Sequence, residues 1–336
     1  MEAWRGISQF RRLIVASGAV AGHCRTLSCT SSRRVQITSS FNEESSDKET
    51  HFGFKTVSED AKQEKVDTVF TNVADTYDLM NDVMSGWIHR LWKDQFVARL
   101  GPTAGSKILD VAGGTGDIAF RILKYAANET SEVESDLDDF LVPRHIQFQA
   151  QTFLDPESDS EDVAPIASPK ITEVTVCDIN QSMLDVGMKR ARASGLSNQL
   201  NWLQSNAENL EAIPDNTYDA YTIAYGIRNC THIDRVLSEA FRVLKPGGRF
   251  MCLEFSHVNN SLLRMVYDEY SFQVIPVMGH LIAGDWDSYQ YLVESIRQFP
   301  KQEEFEDMIK DAGFKFVTYE NLFNGVTAIH SGFKLK

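Results

Sequence analysis

The chain has 336 residues, enough for one large or two ordinary domains, and its apolar and charged fractions are those of a globular protein. It carries 33 Lys and Arg against 47 Asp and Glu, a formal charge of −14. This balance argues against broad binding to the phosphate backbone of nucleic acids, so we predict no nucleic-acid partner. The five cysteines form no Cys-x-x-Cys pair and have no metal-ligand spacing, so we also predict no metal site.

The first 40 residues differ in composition from the rest of the chain. They contain six arginines, many Ser and Thr, no Lys and a single acid, Glu2. This pattern is typical of an organelle transit peptide, which is removed from the mature protein. A secretory signal built on the short apolar run 13–20 and a disordered basic tail are the alternatives.

Helical spacing of apolar residues predicts an amphipathic helix over 58–77, with Ser58 as its N-cap. Residues 78–82 are expected to end it, and a second helix is predicted over 87–100. Residues 107–111 then read as a short buried strand that enters a glycine turn, and a helix begins at Asp117.

The glycine turn is the strongest local signal in the chain. Gly114, Gly116 and Ala119 fit the dinucleotide fingerprint, whose last glycine may be alanine. Glycine allows positive φ and close approach of a ligand, and the following helix directs free N–H groups at the turn. We therefore expect a nucleotide-like cofactor here; a tight turn without a ligand is the alternative.

A long insertion separates the first two predicted strands. Residues 126–169 contain eleven acids and only one arginine, which predicts a solvated segment without a role in the chemistry. The strand 173–178 follows and ends in Asp178, 62 residues after Gly116. A carboxylate at the end of the second strand is placed to accept both hydroxyls of a ribose.

The remaining elements alternate between strands and helices, which predicts a doubly wound α/β sheet. The apolar segment 256–299 is expected to form helices over the ligand edge of that sheet. The other predictions are strands at 200–205, 218–225 and 249–255, helices at 181–194, 233–244 and 303–312, and a closing antiparallel hairpin at 314–319 and 327–335.

The turn, the acid Asp178, the pair Asn206 and Ala207, and the KPGG turn at 245–248 together resemble the Rossmann-like, class I S-adenosylmethionine-dependent methyltransferases. That resemblance implies a seven-stranded doubly wound sheet in the order 3-2-1-4-5-7-6, with an antiparallel last strand. More narrowly, the chain from about residue 50 to 336, apart from the insertion, resembles the ubiquinone/menaquinone-biosynthesis C-methyltransferases. The similar segments are 70–82 (FTNVADTYDLMND), 226–231 (GIRNCT), 242–250 (RVLKPGGRF) and 254–256 (EFS).

Three further segments are similar to the mitochondrial members of that family: 270–276 (YSFQVIP), 283–286 (AGDW) and 289–295 (YQYLVES). The resemblance implies C-methylation of a polyprenylated methoxy-benzoquinol, with S-adenosylmethionine as methyl donor. It further implies a peripheral protein on the matrix side of the mitochondrial inner membrane and membership of a multi-subunit coenzyme Q biosynthesis complex.

The resemblance also assigns site residues. Arg228 and Asn229 are the expected catalytic residues, and Tyr77, Asp78 and His89 are weaker candidates for the substrate edge. Asn206 stands where the family usually has Asp, but its side-chain oxygen can accept the same hydrogen bond from an adenine amine. The residues expected to bind the cofactor are Gly114, Thr115, Gly116, Asp178, Asn206 and Ala207.

Three other functions stay open at this point: a methyltransferase for another small molecule, a non-catalytic subunit of a quinone-biosynthesis complex, and an NAD-dependent oxidoreductase. Asp117 directly after Gly116 and the turn before the fifth strand favour a methyltransferase over the oxidoreductase. For Arg228 the alternative to catalysis is a surface ion pair.

Overall fold

The computed structural model describes residues 48–73, 77–128, 171–283 and 286–336. Within these ranges the side chains of 72–80 and 282–283 are not described. The predicted transit segment at 1–40 lies outside the described residues, as does the predicted insertion beyond residue 128.

A seven-stranded sheet forms the centre of the fold. Its strands are β3 (Lys107–Val111), β4 (Glu173–Asp178), β5 (Leu200–Gln204), β6 (Tyr218–Ala224), β7 (Leu244–Phe255), β8 (Lys315–Leu322) and β9 (Thr327–Phe333). They lie side by side in the order β5-β4-β3-β6-β7-β9-β8. The pairs from β5 to β7 are parallel, whereas β9 is antiparallel to both of its neighbours, β7 and β8. Counted within the sheet this is 3-2-1-4-5-7-6 with an antiparallel last strand, as predicted.

Helices cover both faces of the sheet, and the sheet strands are correspondingly apolar. In β3, Ile108 packs into one hydrophobic cluster, while Leu109 and Val111 pack into a second. Burial on both faces explains why the parallel strands read as continuous apolar runs. The helices are α1 (Glu59–Val73), α2 (Tyr77–Ser85), α3 (Ile88–Leu100), α4 (117–128), α5 (Gln181–Ala193), α6 (Ile233–Val243), α7 (Ser261–Gln273), α8 (Ile275–Ala283), α9 (Trp286–Gln298) and α10 (Gln302–Asp311).

The N-terminal part of the described chain differs most from the prediction. A hairpin, β1 (Glu49–Phe52) and β2 (Lys55–Ser58), precedes α1 and was not predicted. Ser58 does cap α1, since its hydroxyl accepts from the Ala61 N–H at 3.4 Å. The predicted 58–77 helix agrees with α1 as far as Val73, where the described residues are interrupted. Residues 78–82 lie within α2, so they are helical where we expected them to end a helix.

The predicted turn before the fifth strand is also partly wrong. Strand β7 begins at Leu244, which pairs with Tyr218, and the pairing shifts register before it resumes between Arg249 and Ala220. Gly247 has φ +85° inside this irregular stretch. An irregularity in the pairing at the glycines therefore keeps the KPGG residues within strand β7.

The apolar segment forms three helices, α7, α8 and α9, which pack against one another. We predicted that these helices lie over the ligand edge of the sheet. No helix among the described residues is long and apolar enough to cross a bilayer.

Candidate active site

A cavity opens at the carboxyl ends of β3, β4 and β6, where the glycine turn leaves β3. Its empty volume, including the open mouth, is about 1200 Å³. Gly114 has φ +53°, a conformation that side-chain-bearing residues rarely adopt, and its N–H donates to the Asp178 carboxylate at 2.8 Å. The turn is thereby tied to the end of the neighbouring strand, and both line the cavity.

The segment after β6 packs directly on the glycine turn. A Cβ built at Gly226 would lie 2.3 Å from the Cβ of Ala112, so only glycine fits. Ala112 itself has φ +50°. This close approach brings the 226–231 segment to the cavity wall.

Asp178 ends β4 as predicted, but backbone N–H groups already hold its carboxylate. Besides Gly114, the Asn180 N–H donates to Oδ1 at 2.9 Å. Burial raises the pKa of Asp178, while these two backbone hydrogen bonds oppose the rise. The carboxylate is therefore already oriented before it accepts a hydrogen bond from any ligand.

Asp110 is a second acid at the cavity, and it lies within β3 itself. It is 1% exposed, and its Oδ1 accepts from the Thr222 hydroxyl at 2.8 Å. Within the described part of the chain its Oδ2 has no hydrogen-bond partner. Burial raises the pKa of Asp110 to about 7, so a cationic group entering the cavity would favour its ionised form.

Helix α1 forms the outer wall of the cavity through Gln63, Val66, Asp67 and Phe70. The helix is tied down by Asn180, whose Nδ2 donates to Asp67 Oδ1 at 2.9 Å and to the Thr71 hydroxyl at 2.7 Å. The Oδ1 of the same side chain caps α5. One asparagine thus connects the cavity wall to the sheet.

The remaining predicted cofactor residues are distributed as follows. Thr115, Asn206 and Ala207 line the cavity, and the Asn206 Oδ1 already accepts from the Glu208 N–H at 2.9 Å. Gly116 does not line it. A Cβ at Gly116 would lie 3.0 Å from the Trp202 ring, so this glycine allows close packing between α4 and β5.

A second cavity, with an empty volume of about 1100 Å³ including its open mouth, lies beside the first. Its wall is mainly aromatic and aliphatic, with side chains from α7, α8 and α9 as well as α3. The two cavities share four lining residues: Phe70, Lys93, Tyr225 and Asn229. A ligand in one cavity would therefore lie against the same four side chains as a ligand in the other.

Lys93 is one of these shared residues and is almost buried. Its Nζ donates to Asp117 Oδ2 at 2.8 Å, and Arg121 donates to the other oxygen at 3.0 Å. Burial works against ionisation of Asp117, but the two cations hold the pKa of this carboxyl below its usual value.

Arg228 lies at the second cavity in a buried ion pair, not in the surface pair that was the alternative. Its side chain is 5% exposed and that of Glu254 is 1% exposed, and the NH1–Oε1 distance is 2.7 Å. NH1 also donates to the Tyr225 carbonyl at 2.6 Å, and the guanidinium lies 5.5 Å from the centre of the Phe255 ring. Burial raises the pKa of Glu254, and the charge of Arg228 opposes that rise.

Asn229 and His89 also border the second cavity. The Asn229 Oδ1 accepts from the Tyr291 hydroxyl at 3.0 Å. His89 bonds to the Ser85 hydroxyl at 2.7 Å, and burial lowers its pKa to about 4, so its ring is neutral at physiological pH. The weaker candidates Tyr77 and Asp78 begin α2, and their side chains lie outside the described residues.

Sequence reasoning did not identify Asp110, Lys93 or Glu254 as site residues. Each carries the same signal, a charged residue inside an apolar run: Asp110 in β3, Lys93 on the buried face of α3 and Glu254 near the end of β7. Such residues are rarely buried without a partner or a function.

The first cavity fits S-adenosylmethionine. It offers an acid at the end of the second strand for a ribose, a glycine turn at which a ligand can approach the backbone, and the unpartnered Asp110 oxygen for a cationic group. No group of three or more His, Cys, Asp or Glu among the described residues is arranged to hold a metal ion. Fold and site together define the class: this is an S-adenosylmethionine-dependent methyltransferase.

Comparison with known proteins identifies the family. The model of the ubiE/COQ5 methyltransferase family matches residues 58–334, and the chain belongs to that family. It is 56% identical to the "2-methoxy-6-polyprenyl-1,4-benzoquinol methylase, mitochondrial" of Bos taurus over 85% of this chain and 84% of the relative. It is 54% identical to the Drosophila melanogaster protein of the same name over 86% of each chain.

Solved structures agree on the fold. The crystal structure of the [4+2]-cyclase SpnF is similar with a TM-score of 0.50 at 16% identity, covering 80% of this chain and 94% of that one. At this identity the likeness concerns the fold alone.

Proposed function

We propose that this chain transfers the methyl group of S-adenosylmethionine to a ring carbon of a polyprenylated methoxy-benzoquinol, in ubiquinone biosynthesis. The observation that supports it best is the pair of adjoining cavities, one fitted to the cofactor and one lined by aromatic and aliphatic side chains. An apolar cavity suits an isoprenoid quinol. The family membership and the names of the relatives point to the same substrate class.

The first cavity would hold the cofactor through residues already oriented by the fold. Asp178 would accept from the ribose hydroxyls, the glycine turn would let the cofactor approach the backbone closely, and the edge formed by Asn206 and Ala207 would border the adenine. Asp110 lines the same cavity and would accept a hydrogen bond from the ammonium group of the methionine moiety. S-adenosylmethionine supplies an electrophilic methyl group, so the protein mainly has to hold the acceptor carbon in line with it.

The second cavity would hold the quinol ring and make it nucleophilic. A ring carbon gains electron density when a ring hydroxyl loses its proton. Arg228 cannot take this proton because its guanidinium stays charged. We assign to it the orientation of a water that accepts the proton and the stabilisation of the phenolate that results.

Methyl transfer then makes a carbon–carbon bond while the carbon–sulfur bond breaks, with its electron pair left on sulfur. The methylated ring carbon loses its own proton to water, which restores the aromatic ring. Asn229 lines both cavities, so it would border both reactants.

The direct test is methyl transfer from labelled S-adenosylmethionine to a short-chain 2-methoxy-6-prenyl-1,4-benzoquinol. The wild-type protein should methylate a ring carbon. The Arg228→Ala variant should bind the cofactor normally and turn over at least a hundred-fold more slowly, the scale seen when an oxyanion donor is removed. Transfer to oxygen, or none, would refute the proposed function.

We further propose that residues 1–40 direct the protein to the mitochondrion and that it works on the matrix face of the inner membrane, within a complex of ubiquinone-biosynthesis enzymes. The relatives are named mitochondrial. The helices around the second cavity also carry exposed apolar side chains, with Met265 63% and Leu281 77% exposed. A bilayer at this surface would let a polyprenyl chain reach the cavity without crossing water.

Vesicle flotation and co-purification test this arrangement. Replacing Met265 and Leu281 by Ser should reduce binding to phospholipid vesicles. The matched control is Phe316→Ser, which removes a side chain 73% exposed on edge strand β8. A protein that neither floats with vesicles nor co-purifies with pathway enzymes would contradict the proposal.

A further inference from the structure

We propose that Tyr291 is a positioning residue for methyl transfer, which holds the Asn229 amide so that its NH₂ group donates to the ring oxygen of the acceptor. The inference rests on the proposed function. It concerns a residue on α9, 62 positions away from Asn229 in the chain, whose hydroxyl donates to the Asn229 Oδ1 at 3.0 Å.

Asn229 occupies the position from which one side chain can reach both reactants, because it is among the four residues that line both cavities. It ends the short 3-10 helix Ile227–Asn229, directly after the buried Arg228. Its backbone is fixed there, since the Asn229 N–H donates to the Gly226 carbonyl at 3.1 Å. The remaining freedom is rotation of the side-chain amide.

That rotation decides the sign of the interaction with the acceptor. An asparagine amide has an oxygen that only accepts and an NH₂ group that only donates, and the two ends have nearly the same shape. The acceptor must become a phenolate, so a donor near its oxygen stabilises the reacting state, whereas an amide oxygen there would repel it. A partner that engages the amide oxygen leaves the NH₂ group for the substrate.

Tyr291 is suited to be that partner. The residue is 5% exposed, and burial raises the pKa of its hydroxyl, so it stays protonated and able to donate throughout the working pH range. Because the residue is buried, water does not compete for this hydrogen bond. The neighbouring positive charge of Arg228 opposes the rise of this pKa without removing the proton at neutral pH.

The N-terminal hairpin holds the Tyr291 ring in place. The rings of Phe52 and Tyr291 stack with centroids 4.0 Å apart and an angle of 7° between planes. One turn further along α9, Glu294 accepts from the Phe54 N–H at 2.9 Å. A Cβ at Gly53 would lie 2.1 Å from Glu294 Oε2, so the hairpin turn sits directly on α9. The hairpin thereby shields the Tyr291–Asn229 hydrogen bond from solvent.

The first variant is Tyr291→Phe, which removes the hydroxyl and keeps the stacked ring. We expect kcat to fall about ten-fold, with the KM for quinol and the affinity for S-adenosylmethionine changed less than three-fold. The matched control is Tyr319→Phe, which removes an exposed hydroxyl bonded to Glu303 at 2.7 Å and should leave turnover unchanged. A Tyr291→Phe enzyme with wild-type kcat would overturn the inference.

A spectroscopic readout separates positioning from general structural support. A prenylated 2-methoxy-4-nitrophenol has a coloured phenolate, so its ionisation can be followed while it is bound. A donor at the phenolate oxygen lowers the pKa of the bound phenol. We expect this pKa to be about one unit higher in Tyr291→Phe than in the wild type. Equal values in the two proteins would refute the assigned role.

A second variant tests the donor itself and leaves the Tyr291 side chain unchanged. Asn229→Asp retains an oxygen that accepts from Tyr291 but has no NH₂ group, so kcat should fall about a hundred-fold. In the Asn229→Asp background, adding Tyr291→Phe should cost less than two-fold more, since the two residues act as one unit. Independent, multiplicative losses would contradict action through Asn229.

The wild-type protein in the same assay distinguishes the two levels of proposal. Ring methylation by the wild type with unchanged Tyr291→Phe turnover would overturn this inference alone. Absence of transfer by the wild type would overturn the proposed function and this inference with it.

Discussion

Replacing Glu254 by Gln tests whether the buried ion pair is what holds Arg228. The substitution keeps the size of the side chain and one acceptor oxygen but removes the negative charge beside the guanidinium. Glu254 accepts from the Arg228 side chain at 2.7 Å and from the Phe255 N–H at 2.8 Å. Only the first of these contacts depends strongly on charge.

The expected loss follows from burial. The side chains are 5% exposed at Arg228 and 1% exposed at Glu254, so water cannot replace the missing charge. Removing one partner of such a pair costs about 3–5 kcal/mol, because the remaining charge is left buried without compensation. Gln keeps a hydrogen-bond acceptor, so we expect about 3 kcal/mol, a fall in Tm of roughly 5–10 °C.

Activity should fall as well, and for a reason separate from unfolding. Without Glu254 the guanidinium is drawn towards other acceptors, and its position at the second cavity changes. At a temperature where both proteins are folded, Glu254→Gln should bind S-adenosylmethionine with an affinity near that of the wild type but show a kcat lower by at least ten-fold.

The matched control is Glu320→Gln. It removes the same charge from the Arg99–Glu320 pair, whose N–O distance is 2.8 Å but whose side chains are 56% and 40% exposed. An exposed pair contributes less than about 1 kcal/mol. Differential scanning calorimetry and labelled-methyl assays of both variants complete the test. If Glu254→Gln is no less stable and no less active than Glu320→Gln, the argument from burial is wrong.

Three further predictions concern the cofactor cavity. Burial raises the pKa of Asp110 to about 7, so the folded chain keeps a proton that the unfolded chain loses, and stability falls as pH rises from about 4 to 7. In the Asp110→Asn variant this pH-dependent loss of stability, on the order of 4 kcal/mol, should be absent. Urea unfolding at pH 4.5 and 8 measures the free energy of unfolding, and equal pH dependence in both proteins would contradict the prediction. Gly226→Ala would place a Cβ 2.3 Å from that of Ala112, so it should weaken S-adenosylmethionine binding at least ten-fold in calorimetric titration, and unchanged affinity would show that the turn adapts. Asn180→Asp keeps the cap of α5 but sets a carboxylate against Asp67, so cofactor affinity should fall several-fold while the far-UV spectrum stays the same; an unaltered affinity would mean that the tether of α1 is unimportant.

The fold was largely predictable because its sheet is buried on both faces. Apolar runs such as 107–111 and 218–225 are long enough to mark strands and are separated by helical patterns and turn residues. The hairpin β1–β2 was missed for the opposite reason. Its residues are mostly exposed or half-buried, so they show no apolar run, and contact with Glu294 on α9 stabilises the hairpin instead.

The candidate site was likewise predictable only in part. Asp178 and the glycine turn were recognisable because each lies at a strand end, and the geometry of a parallel sheet brings such ends together. The packing of Gly116 against Trp202 could not be read from the sequence, because it depends on a ring 86 residues away.

By itself, the sequence determined the alternation of strands and helices that builds the central sheet, the glycine turn, the acid at the end of the second strand and the resemblance that led to the family. Each of these features depends on residues that are close together in the sequence or on the order of segments along the chain. Only the tertiary structure decided that Arg228 is buried against Glu254 and that Tyr291 holds Asn229. Those pairs join distant segments of chain, and burial, which sets the strength of their charges and hydrogen bonds, exists only once the helices have packed over the sheet.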